Sequence, residues 1–318
     1  MNITIIVCTY NRCQTVIKAL DSIAVQNVPE SVEWDCLIVD NNSTDRTRDV
    51  MEKYCHQNPT RFSYVFEPKQ GLSNARNAGV QNARGAILAF TDDDAVVAPD
   101  WIWNLTSSLD GKEWAGAGGR IIPVWQGSLP VWLSKDDLNT IGPFGGFDQG
   151  PEAGPLKLPF YGGNMAIRRE AFGKYGLFRV DLGRSNTNLM GREDVEIANR
   201  MLAAGEQLRY EPHAVIWHPI AESRMKKSYV LRWTYWQSQS EIADLGPHET
   251  GWSIMGIPLA MFRRLIRWAL QSMISTSAQK RFHCQRNVWH LAGSIAAYYH
   301  GLGRQDTGTR ANAQASVE

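Results

Sequence analysis

Three aspartates in a row, Asp92-Asp93-Asp94, follow the apolar run Ala86–Phe90. Adjacent carboxylates repel one another unless a cation compensates them, and hard oxygen donors on a tight turn suit Mg2+ or Mn2+, ions that also bind substrate phosphates. A solvated acidic turn or a helix start would read the same way, but a place at the end of a strand favours the metal. About a hundred residues later, Glu193-Asp194 stand in Gly191-Arg192-Glu193-Asp194-Val195-Glu196. The spacing of Val195, Ala198, Met201 and Leu202 predicts an amphipathic helix with both acids in its first turn. Carboxylates there favour the helix dipole, and an ionised one could also take a proton from an attacking hydroxyl. His218, in Val215-Ile216-Trp217-His218-Pro219, is either structural or a third metal ligand or phosphate contact. The turn Thr9-Tyr10-Asn11-Arg12, with Asp40, could hold a phosphate or a base edge, because amides at a strand-to-helix junction point outwards.

These groups need a scaffold, and the first hundred residues supply one theme repeatedly. Strands are expected at Ile3–Val7, Asp35–Val39, Phe62–Phe66 and Ala86–Phe90, with helices near Gln14–Val25, Thr47–His56 and Gly71–Ala83. Such alternation implies βαβ units, hence an α/β fold with a mostly parallel sheet flanked by helices. Each polar cluster ends a strand, the edge where open α/β sheets bind ligands. Residues 116–163 are rich in Gly, Pro and aromatics and read as long loops around a cleft. There Trp125 and Trp132 are sugar-stacking candidates, although core packing is the commoner fate of such rings. A strand is expected near Ala214–Trp217.

The formal net charge of +1 argues against a dedicated nucleic-acid binder. It is a sum of unlike parts. Residues 224–318 hold 12 Lys and Arg against 5 Asp and Glu, a net of +7, whereas residues 1–223 hold 21 against 27, a net of −6. Within the basic part, Ile254 to Ile274 predicts a helix with Arg263, Arg264 and Arg267 on one stripe and a broad apolar remainder. Together with Trp233, Trp236, Trp252 and Trp289, it suits an anionic membrane surface; packing on the domain with a basic edge in water is the alternative. The expected organisation is a catalytic domain at 1–223, a helical, basic, Trp-rich region for membrane association or self-association into a homo-oligomer at 224–304, and a flexible tail at 305–318. No run is long and apolar enough for a simple membrane span. Five scattered cysteines suggest neither a disulfide framework nor a zinc site, and with no leader pattern a cytoplasmic protein is expected.

Taken together, IIVCTYNR, LIVDNNSTDRT, GLSNARNAGVQNARGAILAFTDDD, GGNMAIRREAFGKYGLFRVDLG and GREDVEIANRMLAAG resemble the family 2 glycosyltransferases of GT-A fold. They recur in family order over residues 3–220, and GGRIIPVWQGSLPVWL is similar to members that assemble bacterial polysaccharides. The resemblance implies a GT-A domain, and the helical pattern beyond it then forms a C-terminal appendix. The resemblance also implies inverting transfer of a sugar from a nucleotide-sugar, most often a UDP-sugar, to the hydroxyl of a glycan or lipid-linked acceptor. On the matching positions, Thr9, Tyr10, Asn11, Arg12 and Asp40 would hold the nucleotide, with Arg76, Asn77, Asp92 and Asp93 lining the donor site. Asp94 and Asp92 would bind Mn2+ or Mg2+, and His218, from its own place at a strand end, is the candidate third ligand. Asp194 would be the base and Glu193 would help to position the acceptor, beside Gly163 and Asn164. The enzyme is then expected on the inner face of the cell membrane as a peripheral protein.

Two other readings use the same acids. A sugar-phosphate nucleotidyltransferase lacks here its Gly-rich, Lys/Arg-bearing N-terminal loop, and an inactive nucleotide-sugar-binding membrane scaffold would have no need to keep both acidic clusters. GxGxxG, GxxxxGK[ST] and GxSxG are absent, which removes motif support for dinucleotide, P-loop and α/β-hydrolase readings.

Overall fold

The computed structural model describes residues 1–111, 113–125, 128–134, 137, 142–247 and 251–301. The chain forms two compact units. The first comprises 1–128, 135–187 and 193–224, and the second 129–134, 188–192 and 225–318. The tail expected at 305–318 lies outside the described residues.

The first unit is built on a nine-stranded mixed sheet. Its strands are β1 (Asn2–Thr9), β2 (Glu33–Asp40), β3 (Phe62–Phe66), β4 (Ile87–Asp92), β5 (Val96–Val97), β6 (Gly116–Val124), β7 (Gly154–Pro155), β8 (Asn164–Arg168) and β9 (Leu208–Pro219), in the order β3-β2-β1-β4-β8-β6-β9-β5, with β7 beside β9. The β3-β2-β1-β4 half is parallel throughout, and β8 runs against both β4 and β6. Helices α1 (Val16–Ala24), α2 (Thr47–Gln57), α3 (Leu72–Asn82), α4 (Trp101–Thr106), α5 (Arg169–Tyr175) and α6 (Glu193–Ala203) complete the unit. This is the GT-A arrangement expected from the sequence.

Strand β1 explains why the sheet forms. A central parallel strand is covered on both faces and so reads as a continuous apolar run. Ile3, Ile5 and Val7 enter one core with Leu20 and Trp101, and Ile6 enters the other with Ala75 and Met201. All four β1 side chains are fully buried. Each contributes about 1.5–3 kcal/mol of apolar burial.

Three expectations need correction. The 116–163 segment contains the nine-residue strand β6, which Gly118 and Gly119 hid from view. A Cβ on Gly118 would sit 2.5 Å from the Phe160 Cβ, and one on Gly119 would run into the Ala214 carbonyl, so glycine here serves close packing. On α6 the buried face is Ile197, Ala198 and Met201, whereas Leu202 is exposed. The expected 254–274 helix begins later. Strands β10 (Ser253–Ile254) and β11 (Ile257–Pro258) form a hairpin first, its turn made by positive φ at Met255 and Gly256.

The second unit packs α7 (Lys227–Leu245), α8 (Leu259–Ile274) and α9 (Ala278–Tyr299) around Ile242, Ile257, Met261, Leu291 and Tyr298. Gly293 lets α9 approach α7 closely, since a Cβ there would meet the Tyr235 carbonyl. Among the described residues no helix is long and apolar enough to cross a membrane.

Candidate active site

Register alone brings the acids together. Parallel pairing sets Thr9 opposite Asp40 and Cys8 opposite Asp92 at the carboxyl edge. Antiparallel pairing sets Thr91 opposite Asn164, so Gly163 falls beside Asp92. Val96 faces Trp217 on β9, which carries His218 to Asp94. One oxygen each of Asp92 and Asp94 and one ring nitrogen of His218 all lie within 4.8 Å of one another. Two carboxylates and an imidazole suit a divalent cation such as Mn2+. The buried His218 Nδ1 has no protein partner.

An imidazole and two guanidinium groups surround Asp94. His218 Nε2 lies 3.3 Å from Asp94, Arg224 3.4 Å and Arg12 3.6 Å. Burial alone would raise the Asp94 carboxyl, but the His218 hydrogen bond and the charges of His218, Arg224 and Arg12 hold it well below the usual range. Asp93 goes the other way. Burial and the Asp94 charge push it up to about 7, against Arg12 and the hydrogen bond donated by Thr9 Oγ1 at 2.7 Å.

The turn Thr9-Tyr10-Asn11-Arg12 is knitted to the loop after β2. Asn11, at φ 52°, accepts at Oδ1 from the Thr44 amide (2.8 Å), and its own amide donates to Ser43 Oγ. Asp40 is fully buried and accepts from the Ser43 amide and the Tyr64 hydroxyl, both at 3.0 Å. Tyr10 is half-buried.

The third group centres on two consecutive glycines. The Gly162 amide donates to Asp194 Oδ2 at 2.6 Å. A Cβ on Gly162 would fall inside the Arg76 guanidinium, and one on Gly163 would lie 2.6 Å from Asp92 Oδ2. Arg76 is buried and paired with Glu193 at 2.5 Å. Burial disfavours its charge, but Glu193, Asp194 and Asp92 outweigh that and raise its pKa. Burial and the Asp194 charge push Glu193 up to about 6, with Arg76 pulling it down.

Other expected site residues have different surroundings. Asn77 gives both ends of its amide to the Phe178 backbone. Asn164 is fully buried and bonds the Trp101 indole and the Arg120 and Ala214 carbonyls. Both asparagines therefore brace the scaffold. Trp125 packs edge-on against Phe144, and Trp132, in the second unit, against Phe282. Arg224 went unnoticed in the sequence, where nothing but its positive charge marks it.

Residues 4–176 match the model of Glycosyl transferase family 2. The chain belongs to that family. Among family 2 relatives it is 30% identical over 236 residues to the succinoglycan biosynthesis protein ExoM of Rhizobium meliloti, covering 73% of this chain and 71% of the relative. It is 25% identical to the glucosyl-dolichyl phosphate glucuronosyltransferase of Haloferax volcanii, covering 77% of this chain and 78% of that one. Among solved structures, the mannosyltransferase PcManGT of Pyrobaculum calidifontis, in complex with GDP-Man and Mn2+, superposes with a TM-score of 0.56 at 19% identity, over 99% of this chain and 79% of its own. At that identity the superposition speaks for the fold of this family 2 glycosyltransferase.

Proposed function

We propose that this chain is an inverting glycosyltransferase that moves a sugar from a nucleotide-sugar, a UDP-sugar, to the hydroxyl of a lipid-linked or growing polysaccharide acceptor. The observation that carries the reading is the Gly162-Gly163 peptide, which touches a proton acceptor on one side and the acidic cluster on the other. A group on the donor and a hydroxyl on the acceptor can then meet within one site. The two relatives named above, one from succinoglycan biosynthesis and one acting on a dolichyl-linked sugar, support the acceptor class. A lipid-linked acceptor supports a cytoplasmic, peripheral place on the inner face of the cell membrane.

In this reading the knitted turn at 9–12, with Asp40, receives the nucleoside, and Arg12 and Arg224 face the diphosphate. Asp92, Asp94 and His218 would hold Mn2+ or Mg2+, which when bound neutralises charge on the departing diphosphate. The acceptor oxygen forms a bond to the anomeric carbon as its proton passes to Asp194, and the bond from that carbon to the diphosphate oxygen breaks with its electron pair. One displacement inverts the centre. Glu193, buried behind Asp194, acts through Arg76 as a positioning residue.

The test is a panel of UDP- and GDP-sugars offered with Mn2+ and lipid-linked glycans, read as nucleoside diphosphate release and as the anomer of the product. UDP release that depends on acceptor, with inversion, supports the reading. Retention, or pyrophosphate release from UTP and a sugar phosphate, overturns it.

A further inference from the structure

Helix α8 carries apolar side chains around most of its circumference, and its core uses only one side of them. Met261, Phe262, Leu265 and Trp268 face the second unit's interior. On the opposite side Ile266, Leu270, Met273 and Ile274 are between 57% and 79% exposed. Their spacing places them on one stripe, where a water-facing helix would carry polar residues. Exposed Arg263 and Arg267, four residues apart, run along the edge of that stripe. The hairpin that precedes the helix adds a second apolar point, with Trp252 88% and Met255 77% exposed.

The charge around these residues has one sign. Residues 251–301 contain Lys or Arg six times and Asp or Glu not once. A second copy of this chain is therefore a poor occupant, because a symmetric contact would oppose like charges with no acid to compensate them. An anionic lipid surface answers both properties, taking apolar side chains at the headgroup–acyl boundary and arginines at the phosphates.

We propose that the outer stripe of α8 and the Trp252–Met255 hairpin tip dock on anionic membrane lipid. This deepens the peripheral placement proposed above and uses none of the residues of the transfer chemistry. The full chain is sedimented with vesicles of phosphatidylcholine alone and of phosphatidylcholine with phosphatidylglycerol, and compared with two variants of unchanged circular dichroism. These are Ile266→Ser with Leu270→Ser and Met273→Ser, and Arg263→Gln with Arg267→Gln. The wild-type chain should partition to the anionic vesicles about tenfold or more above the neutral ones, and salt should weaken it. The serine variant should lose about tenfold or more, and the glutamine variant should lose much of the salt sensitivity. UDP release to a soluble acceptor should stay unchanged in both, so loss of transfer and loss of docking are read separately. Absence of wild-type binding to anionic vesicles, a serine variant that binds as well as wild type, or a stripe-dependent dimer without vesicle binding would each overturn the proposal.

Discussion

The Gly162 amide donates to Asp194 Oδ2 at 2.6 Å, and the residue that follows it packs on Asp92. A carboxylate held by an amide is fixed in direction, which a proton acceptor needs. Four expectations follow from this and the neighbouring contacts.

Asp194→Asn keeps one oxygen to accept a backbone amide, where the carboxylate now takes both the Gly162 and Val195 amides, and removes the negative charge. Turnover should fall by about 100-fold to 10,000-fold with donor affinity unchanged. Steady-state kinetics beside calorimetry with UDP and Mn2+ separate the two effects. A variant that keeps most of its turnover would falsify the base assignment.

Asp94→Ala takes away a proposed cation ligand and the carboxylate that faces Arg12 and Arg224. Mn2+ and metal-dependent UDP binding should weaken about tenfold or more, and His218→Ala should act in the same direction. Chelation should stop transfer in the wild-type chain and added Mn2+ should restore it. Unchanged Mn2+ affinity in both variants would remove these residues from the metal site.

Gly162→Ala places a methyl group where the Arg76 guanidinium lies. Breaking the buried Arg76–Glu193 pair should cost about 3 kcal/mol in denaturant unfolding. Gly173→Ala, on α5 with nothing within 4 Å of its new methyl, should be neutral or stabilising by up to about 1 kcal/mol. Equal effects of the two substitutions would contradict the packing argument.

Glu193 gives a pH dependence. Its folded pKa is raised from 4.5 to about 6. A raised value means that its stabilising contribution is complete below the unfolded pKa and lost as pH climbs through the folded one. The advantage of wild type over Glu193→Gln should therefore shrink by about 2 kcal/mol between pH of about 4.5 and about 7.5. Denaturant melts at the two pH values measure it, and a gap that widens towards neutral pH refutes the sign.

The parallel half of the fold was legible because buried strands announce themselves as apolar runs ending in polar clusters, as Ile3–Val7 does before Thr9. Asp92 to Asp94 stood out for the same reason. In the other half the strand expected near Ala214–Trp217 is the end of β9, whereas β6 was not legible, since it needs Gly118 and Gly119 for close approach and so looks like a loop. Side-chain type also misled. Asn77 and Asn164 carry amides fit for a ligand, yet their bonds go to backbone groups and, for Asn164, the Trp101 indole, all far away in sequence. Arg224 reaches Asp94 across 130 residues, a distance no local pattern spans.

The antiparallel pairing of β4 with β8 has a last consequence. It sets the separation of the acid cluster from Asp194 by counting residues, Thr91 to Asn164 and onward to Gly162. A single-residue insertion after Asn164, with the rest of β8 held in register, would shift the residues before it by one, turn their side chains to the other face and set Asn164 where Gly163 meets Asp92. Residues around the Gly162-Gly163 turn, though not the two glycines themselves, should therefore tolerate substitution better than β8 tolerates a change in length.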